Sequence, residues 1–178
     1  NADQDILRTT AIPGLLANIV LNKSNRAENI RLFEVGNVFI QTDSSTPLPN
    51  EKTQISGVLT GTRMGMGWTH QQEPVDFYEV KGVVESVFQA LGIVCEFRRT
   101  EDIPFLHPGE SAAVYADGDT IGVLGKLHPD VVDAFHIDED RIYLFELFLE
   151  QIVAHSSLER TFRSLPRFPA VHRDLAVV

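Results

Sequence analysis

Cysteine is nearly absent: Cys95 is the one thiol in 178 residues, so no intramolecular disulfide framework staples this fold. That usage fits a reducing compartment, the cytoplasm. Within "IVCEF" the residue sits in an apolar–polar alternation and reads as a small buried side chain rather than a reactive nucleophile. No run of 18 apolar residues occurs, which excludes a membrane-spanning helix, and no signal-peptide pattern opens the chain. The opening Asn-Ala reads as an expression remnant on a piece of a longer protein. Positive charge is scarce as well: 15 Lys and Arg stand against 25 Asp and Glu, for a net charge of −10. The corresponding pI of about 4.9 is the wrong sign for a broad face that grips a phosphate backbone. Basic residues gather only in "ERTFRSLPRFPAVHRD", where a local nucleic-acid contact stays open.

Familiar catalytic patterns are missing too. There is no G-x-x-x-x-G-K-[ST] loop, no G-x-S-x-G elbow and no H-E-x-x-H helix. His107-Pro108-Gly109, His128-Pro129 and His70 match no metal-ligand spacing, and a His before Pro is expected to bond the backbone of a turn. Asp117 and Asp119 flank a glycine and read as a hairpin turn rather than a carboxylate dyad. The acidic run after Ile137 reads as a solvated loop.

What is present is ordinary globular material, 43% hydrophobic, in a chain long enough to bury roughly 70% of its unfolded surface. "AIPGLLANIVLNKSNR" predicts a helix opened by Pro13, with Leu15, Leu16, Ile19 and Val20 as its apolar stripe. "IRLFEVGNVFI" predicts a strand, with Gly36 a bulge or a point of close approach. "TDSSTPLPNEK" is loop by composition, and "TQISGVLTG" is the hairpin partner of the preceding strand. The glycine-rich loop around Trp68 reads either as a lid or as a plain sheet-edge loop. "DFYEVKGVVESVFQALG" predicts the clearest helix, with an Asp76/Glu79 capping box, an apolar face of Phe77, Val80, Val84, Val87, Phe88 and Leu91, and Gly92 as its stop. "IVCEFRRT" predicts a strand. After "FLHPG", the segments "SAAVYA" and "TIGVLGKL" predict a hairpin about "DGD". Pro129 opens a short helix, and "RIYLFELFLEQIV" predicts an apolar strand running into a helical turn. The fold class is α+β, an antiparallel sheet with flanking helices.

Five segments, in order, resemble the beta subunit of bacterial phenylalanyl-tRNA synthetase. They are "LRTTAIPGLLANIVLNKSNRAENIRLFEVGNVF", "DFYEVKGVVESVFQALG", "FLHPGESAAVYADGDTIGVLGKLHPDVV", "YLFELFLEQI" and "LPRFPAVHRDLAVV". The resemblance implies a class II synthetase-like core domain over residues 1–160, near the C-terminal end of that subunit. It implies that 161–178 is a linker and the start of a ferredoxin-like anticodon-binding domain, cut short at Val178. The family's editing and metal-associated regions would lie upstream of Asn1.

A working class II site needs an arginine at the end of its second-motif strand, because a fixed guanidinium fork meets the charge developing on the α-phosphate. The resembling position here is Ile40. The third motif needs glycines that let a nucleotide approach the backbone, followed by a second arginine. Leu147, Phe148 and Leu149 stand there, with no arginine after them. Thr9, Thr10 and Ala11 occupy the loop where some class II relatives hold a carboxylate for the substrate's amino group. Arg8 and Arg31 are the nearest cations to an anion site, without defining one.

The resemblance therefore implies a non-catalytic domain that binds no cofactor or metal itself. Its role is to pack against the alpha subunit in an (αβ)₂ heterotetramer. ATP and magnesium belong to the parent complex, which joins phenylalanine to its tRNA. Contact with tRNA is expected through the intact beta subunit and is weak or absent for this piece. The helices at Pro13–Arg26 and Asp76–Leu91 are expected either to meet the alpha subunit or to cover their own sheet. The alternative is a class II-like domain that keeps its own nucleotide or amino-acid site, with a polar floor near Glu34, Ile40 and Glu146.

Overall fold

The computed structural model describes residues 6–41, 48–63, 68 and 72–157. The expectation for 161–178, the histidine at 70 and most of the loop around Trp68 lie outside the described residues. Trp68 itself is fully exposed.

Among the described residues the chain forms one six-stranded sheet, antiparallel throughout, flanked by four helices. The strands are β1 (Ile30–Ile40), β2 (Asn50–Thr60), β3 (Glu96–Arg99), β4 (Leu106–Ala116), β5 (Asp119–Leu127) and β6 (Ile142–Phe148). The helices are α1 (Ile12–Ser24), α2 (Phe77–Ala90), α3 (Pro129–Ala134) and α4 (Leu149–His155). The order across the sheet is β1-β2-β6-β5-β4-β3. Two local hairpins, β1–β2 and β4–β5, are thus joined by β6 between them.

The two sheet faces carry two cores. On one, α1 packs Ile12, Leu15, Leu16 and Ile19 over Ile30, Val58, Val123, Ile142 and Leu144. On the other, α2 packs Val80, Val84 and Phe88 over Leu59, Val114, Leu124, Phe145 and Leu147. Full burial of each such side chain contributes roughly 1.5–3 kcal/mol. Both helices therefore cover their own sheet. The stripe on α1 begins at Ile12 and excludes Val20, which is half-exposed. At about 100° per residue Ile12, Leu15, Leu16 and Ile19 share one face, and Val20 lies off its edge.

α2 follows the sequence signals closely. Asp76 accepts from the Glu79 N–H at 2.9 Å, and Gly92 takes the left-handed conformation at φ 69° that stops the helix. The Glu79 side chain is turned to Arg31 and Arg63 instead of closing a reciprocal box. Asp117 (φ 49°) and Gly118 (φ 95°) make the β4–β5 turn, as the "DGD" signal predicts.

Four expectations change. Gly36 is no bulge: the β1–β2 register runs unbroken through its pairing with Gln54, and the residue serves close approach only. β2 starts three residues early, at Asn50, because β1 runs on to Ile40 and offers it a ladder partner. β3 is trimmed to four residues at the sheet edge. β4 takes in His107-Pro108-Gly109, which the sequence places before the hairpin. The register shift between Leu106 and Ser111 falls there, where Pro108 has no N–H to give.

Candidate functional site

Cross-strand register places Glu34, Ser56 and Glu146 in one row across β1, β2 and β6. Leu32, Val58 and Leu144, two residues away on each strand, pack under α1. The row thus continues the α1 face past the N-terminus of that helix, since alternate residues share a face. It forms a polar floor. Ser56 is fully buried and Glu146 is 5% exposed. Burial pushes the Glu146 carboxyl above its usual range, and the hydrogen bond from Thr10 opposes that shift.

The segment before α1 roofs this floor. The Thr10 hydroxyl accepts from the Ile12 N–H at 3.1 Å, just ahead of α1, and donates to Glu146 Oε1. Arg8 lies across Gly36, where a Cβ would collide with its guanidinium. It pairs with Glu34 at 2.6 Å and donates from Nε to the Asn37 carbonyl at 2.9 Å. The Arg8 carbonyl in turn accepts from the Phe39 N–H at 2.8 Å. This cation is fully engaged. Arg31 is likewise engaged, with Glu79 at 3.2 Å and the Arg63 carbonyl at 2.9 Å.

At the far end of the floor lies a cavity of about 230 Å³ lined by Ile40, Lys52, Thr53, Gln54, Thr120, Phe148, Glu150 and Gln151. Of the four residues set apart by the sequence, the structure brings together Ile40 and Phe148. Leu147 points to the opposite face, fully buried in the α2 core. Leu149 opens α4 and is half-buried. Gln54, Ser56 and Thr60 each hold a buried oxygen with no hydrogen-bond partner.

The remaining candidates resolve into structure. His107 Nδ1 accepts from the Gly109 N–H at 3.0 Å, and His128 Nδ1 accepts from the Asp130 N–H at 3.2 Å at the start of α3. Both are turn histidines bonded to backbone. Cys95 is half-buried against the α2 core, and burial pushes its thiol up, away from reactivity. Asp117 and Asp119 both face His155 of α4, at 3.4 and 3.1 Å, a clamp that sequence reasoning missed. It missed the buried face of β2 as well, although "TQIS" carries the signal as a polar–apolar alternation.

On the other face, the outer end of β1 leaves Phe33 74% and Val35 55% exposed. With Ile55, Val83, Val87 and Phe145 they line an apolar groove of about 420 Å³ beside α2.

The family model described as phenylalanyl tRNA synthetase beta chain CLM domain matches residues 1–149. The phenylalanine–tRNA ligase beta subunit of Geobacter sulfurreducens is 37% identical over 177 residues, covering 99% of this chain and 22% of the relative. That of Carboxydothermus hydrogenoformans is 38% identical, also covering 99% and 22%. That of Xylella fastidiosa is 38% identical over 178 residues, covering 100% and 22%. The chain thus spans about a fifth of the length of these curated relatives. Among solved structures, the pyrrolysyl tRNA synthetase of Desulfitobacterium hafniense matches with a TM-score of 0.62 over 82% of this chain and 47% of that one. At 16% identity the likeness is one of fold alone, and that fold is the antiparallel class II synthetase type. The chain belongs to the family of phenylalanyl tRNA synthetase beta chain CLM domains.

Proposed function

We propose that this chain is the class II synthetase-like core domain near the C-terminal end of a phenylalanyl-tRNA synthetase beta subunit, and that it serves assembly and not catalysis. The domain covers residues 1–160, and 161–178 lead into the anticodon-binding domain. The observation that carries the reading is the charge of the floor. Glu34 and Glu146 stand where a triphosphate would need cations, and the nearest guanidinium, Arg8, is held by Glu34 and Asn37. Ile40 and Phe148 offer a phosphate no hydrogen bond, whereas charge-assisted bonds carry phosphate recognition. These residues do not fit ATP–magnesium, and Ile40 with Leu147, Phe148 and Leu149 replaces the catalytic elements.

The partner in this reading is the alpha subunit, in an (αβ)₂ heterotetramer in the cytoplasm. The complex as a whole attaches phenylalanine to its tRNA with ATP and magnesium, and tRNA is met through the intact beta subunit. The apolar groove around Phe33 and Val35 supports this role. A contiguous exposed apolar patch of this kind marks an interaction surface, and two copies of one fold type pair readily through self-complementary faces.

The test is sedimentation of this chain with the alpha subunit, alongside calorimetry with ATP–magnesium. Association weakened by Phe33→Asp or Val35→Asp, with no nucleotide heat, is the expected result. Nucleotide binding or amino-acid activation by the chain alone refutes the assembly role. A second reading, in which the domain keeps a ligand site of its own, is favoured by the polar floor of Glu34 and Glu146 and by the cavity beside Ile40.

A further inference from the structure

Arg26 stands where helices commonly end on glycine. It follows the Asn25 cap of α1 at φ 64°, and its N–H donates to the Lys23 carbonyl at 2.9 Å. The next N–H, of Ala27, donates to the Asn22 carbonyl at 3.0 Å, which completes the turn. A residue with a Cβ is strained in that left-handed position, and glycine is not. The turn itself therefore gives no reason for an arginine. The surroundings of its side chain do. Arg26 lines a cavity of about 500 Å³ with Lys23, Glu28, Asn29, Glu139 and Arg141. This cavity lies where β1 and β6 begin and β2 ends, at the end of the sheet away from Ile40. Lys23 is held there by Glu139 at 2.8 Å. Arg26 and Arg141 form no ion pair with a described residue. Acid outnumbers base by 25 to 15 in this chain. Two guanidiniums left without a carboxylate on one cavity are not what charge pairing alone produces.

We propose that this cavity binds a small phosphorylated polyol, of the sugar phosphate class. The two guanidinium forks take the phosphate, a match of planar donors to oxyanion that a lysine does not reproduce. Asn29 Oδ1 is occupied by the N–H and hydroxyl of Thr62, at 2.6 and 2.8 Å, which leaves its amide NH₂ to donate to the ligand. The Glu28 carboxylate, also without an ion pair to a described residue, accepts from the hydroxyls. It sets the charge as well. One carboxylate beside two free cations tolerates one phosphate and repels a second, which disfavours a polyphosphate or a nucleic-acid backbone. The volume of about 500 Å³ falls within the roughly 300–1,000 Å³ of small-molecule sites. The inference is independent of both readings above, since the cavity shares no residue with the floor or with the apolar groove beside α2 except through the sheet that carries them.

The experiment is calorimetry of this chain with ribose 5-phosphate, with ribose, inorganic phosphate and a single-stranded oligouridylate as comparisons. Ribose 5-phosphate is expected to bind saturably in the millimolar range or tighter, inorganic phosphate about tenfold more weakly, and ribose not at all. Arg26→Gly is expected to weaken ribose 5-phosphate about tenfold while the melting temperature holds or rises, because glycine relieves the left-handed strain. A variant that is no less stable and no longer binds cannot be explained by misfolding. Arg141→Gln is expected to weaken binding to a similar extent, and Lys52→Met, at the Ile40 end of the sheet, to leave it unchanged. Absence of saturable binding at tens of millimolar overturns the proposal, and so does affinity unchanged in both arginine variants. An equal loss in Lys52→Met would make the effect one of diffuse charge, and tighter binding of the oligouridylate would make it a polyanion surface. Either outcome also overturns it, and none of these results touches association with the alpha subunit.

Discussion

The ring of Phe145 fills the space that a side chain on Gly57 would need. The two residues face each other across the β2–β6 ladder, and a Cβ on Gly57 would sit 2.5 Å from both Cε1 and Cζ of the ring. Phe145 is 6% exposed, and the Leu32 carbonyl lies 3.2 Å from the same point, so the crowding has a backbone side as well. Gly57→Ala is therefore expected to destabilise the domain by about 1–3 kcal/mol through overpacking. Chemical denaturation measures it, and Phe145→Leu in the same chain should return part of the loss.

Glu146 makes stability depend on pH in an unusual direction. Burial holds its carboxyl above the unfolded value, so the native state keeps the proton over a range where the unfolded state has released it. The contribution is fully present below the unfolded value and is lost as pH rises through the raised native one. Glu146→Gln keeps an acceptor for Thr10 and removes the titration. It should raise the melting temperature at pH 8, change it little at pH 4, and flatten the profile between. A larger gain at pH 4 than at pH 8 contradicts the assignment.

The start of α2 separates two kinds of contact. Asp76→Ala removes a cap and should cost about 1 kcal/mol. Glu79→Gln breaks pairs with Arg31 and Arg63, both about half exposed, and should cost less than about 1 kcal/mol, falling further in high salt. Urea denaturation at two salt concentrations distinguishes them. Equal, salt-sensitive losses contradict this partition.

Tyr143 is buried, and its hydroxyl donates to Glu110 Oε2 at 2.7 Å. Burial and that carboxylate both hold the phenol well above its ordinary value. Tyr143→Phe should cost about 1.5–3 kcal/mol, the worth of a hydrogen bond to a charged acceptor. No alkaline transition from Tyr143 is expected in ultraviolet titration of the folded chain.

Restoring one arginine should not restore a nucleotide site. Ile40→Arg adds a single cation beside a floor that holds Glu34 and Glu146 and a cavity that holds Glu150. Calorimetry with ATP–magnesium is expected to remain flat at millimolar ligand. A clear binding isotherm would show that Ile40 alone closes the site.

The local grammar of the sequence is readable in these results, and the long-range grammar is not. α2 is announced by Asp76, its apolar spacing and Gly92, and the β4–β5 turn by Asp117-Gly118, because each signal lies within a few residues of what it specifies. The alternation of β2 reports that two faces exist without saying which is buried. Gln54 and Ser56 make up its polar face and prove to be buried, with Thr10 and Arg8 arriving over the same face from far along the chain. Glu79 reads as half of a capping box and is claimed by two distant arginines for the same reason. Ile40 and Phe148 meet in one cavity, but their neighbour Leu147 turns to the opposite core, which strand alternation dictates once the register is known.

The place of β6 has a consequence for how the chain comes to be folded. Each hairpin pairs strands that are neighbours in sequence, but the last of the described strands is the one that joins them, and it feeds both cores: Ile142 and Leu144 one, Tyr143, Phe145 and Leu147 the other. Without β6 the sheet order leaves β2 and β5 unpaired on their inner edges, so the six strands cannot close into one sheet before Phe148 is made. Cooperative folding is thus delayed to the end of translation of the sheet, and the loop-closure entropy of joining β6 to β2 sets its pace.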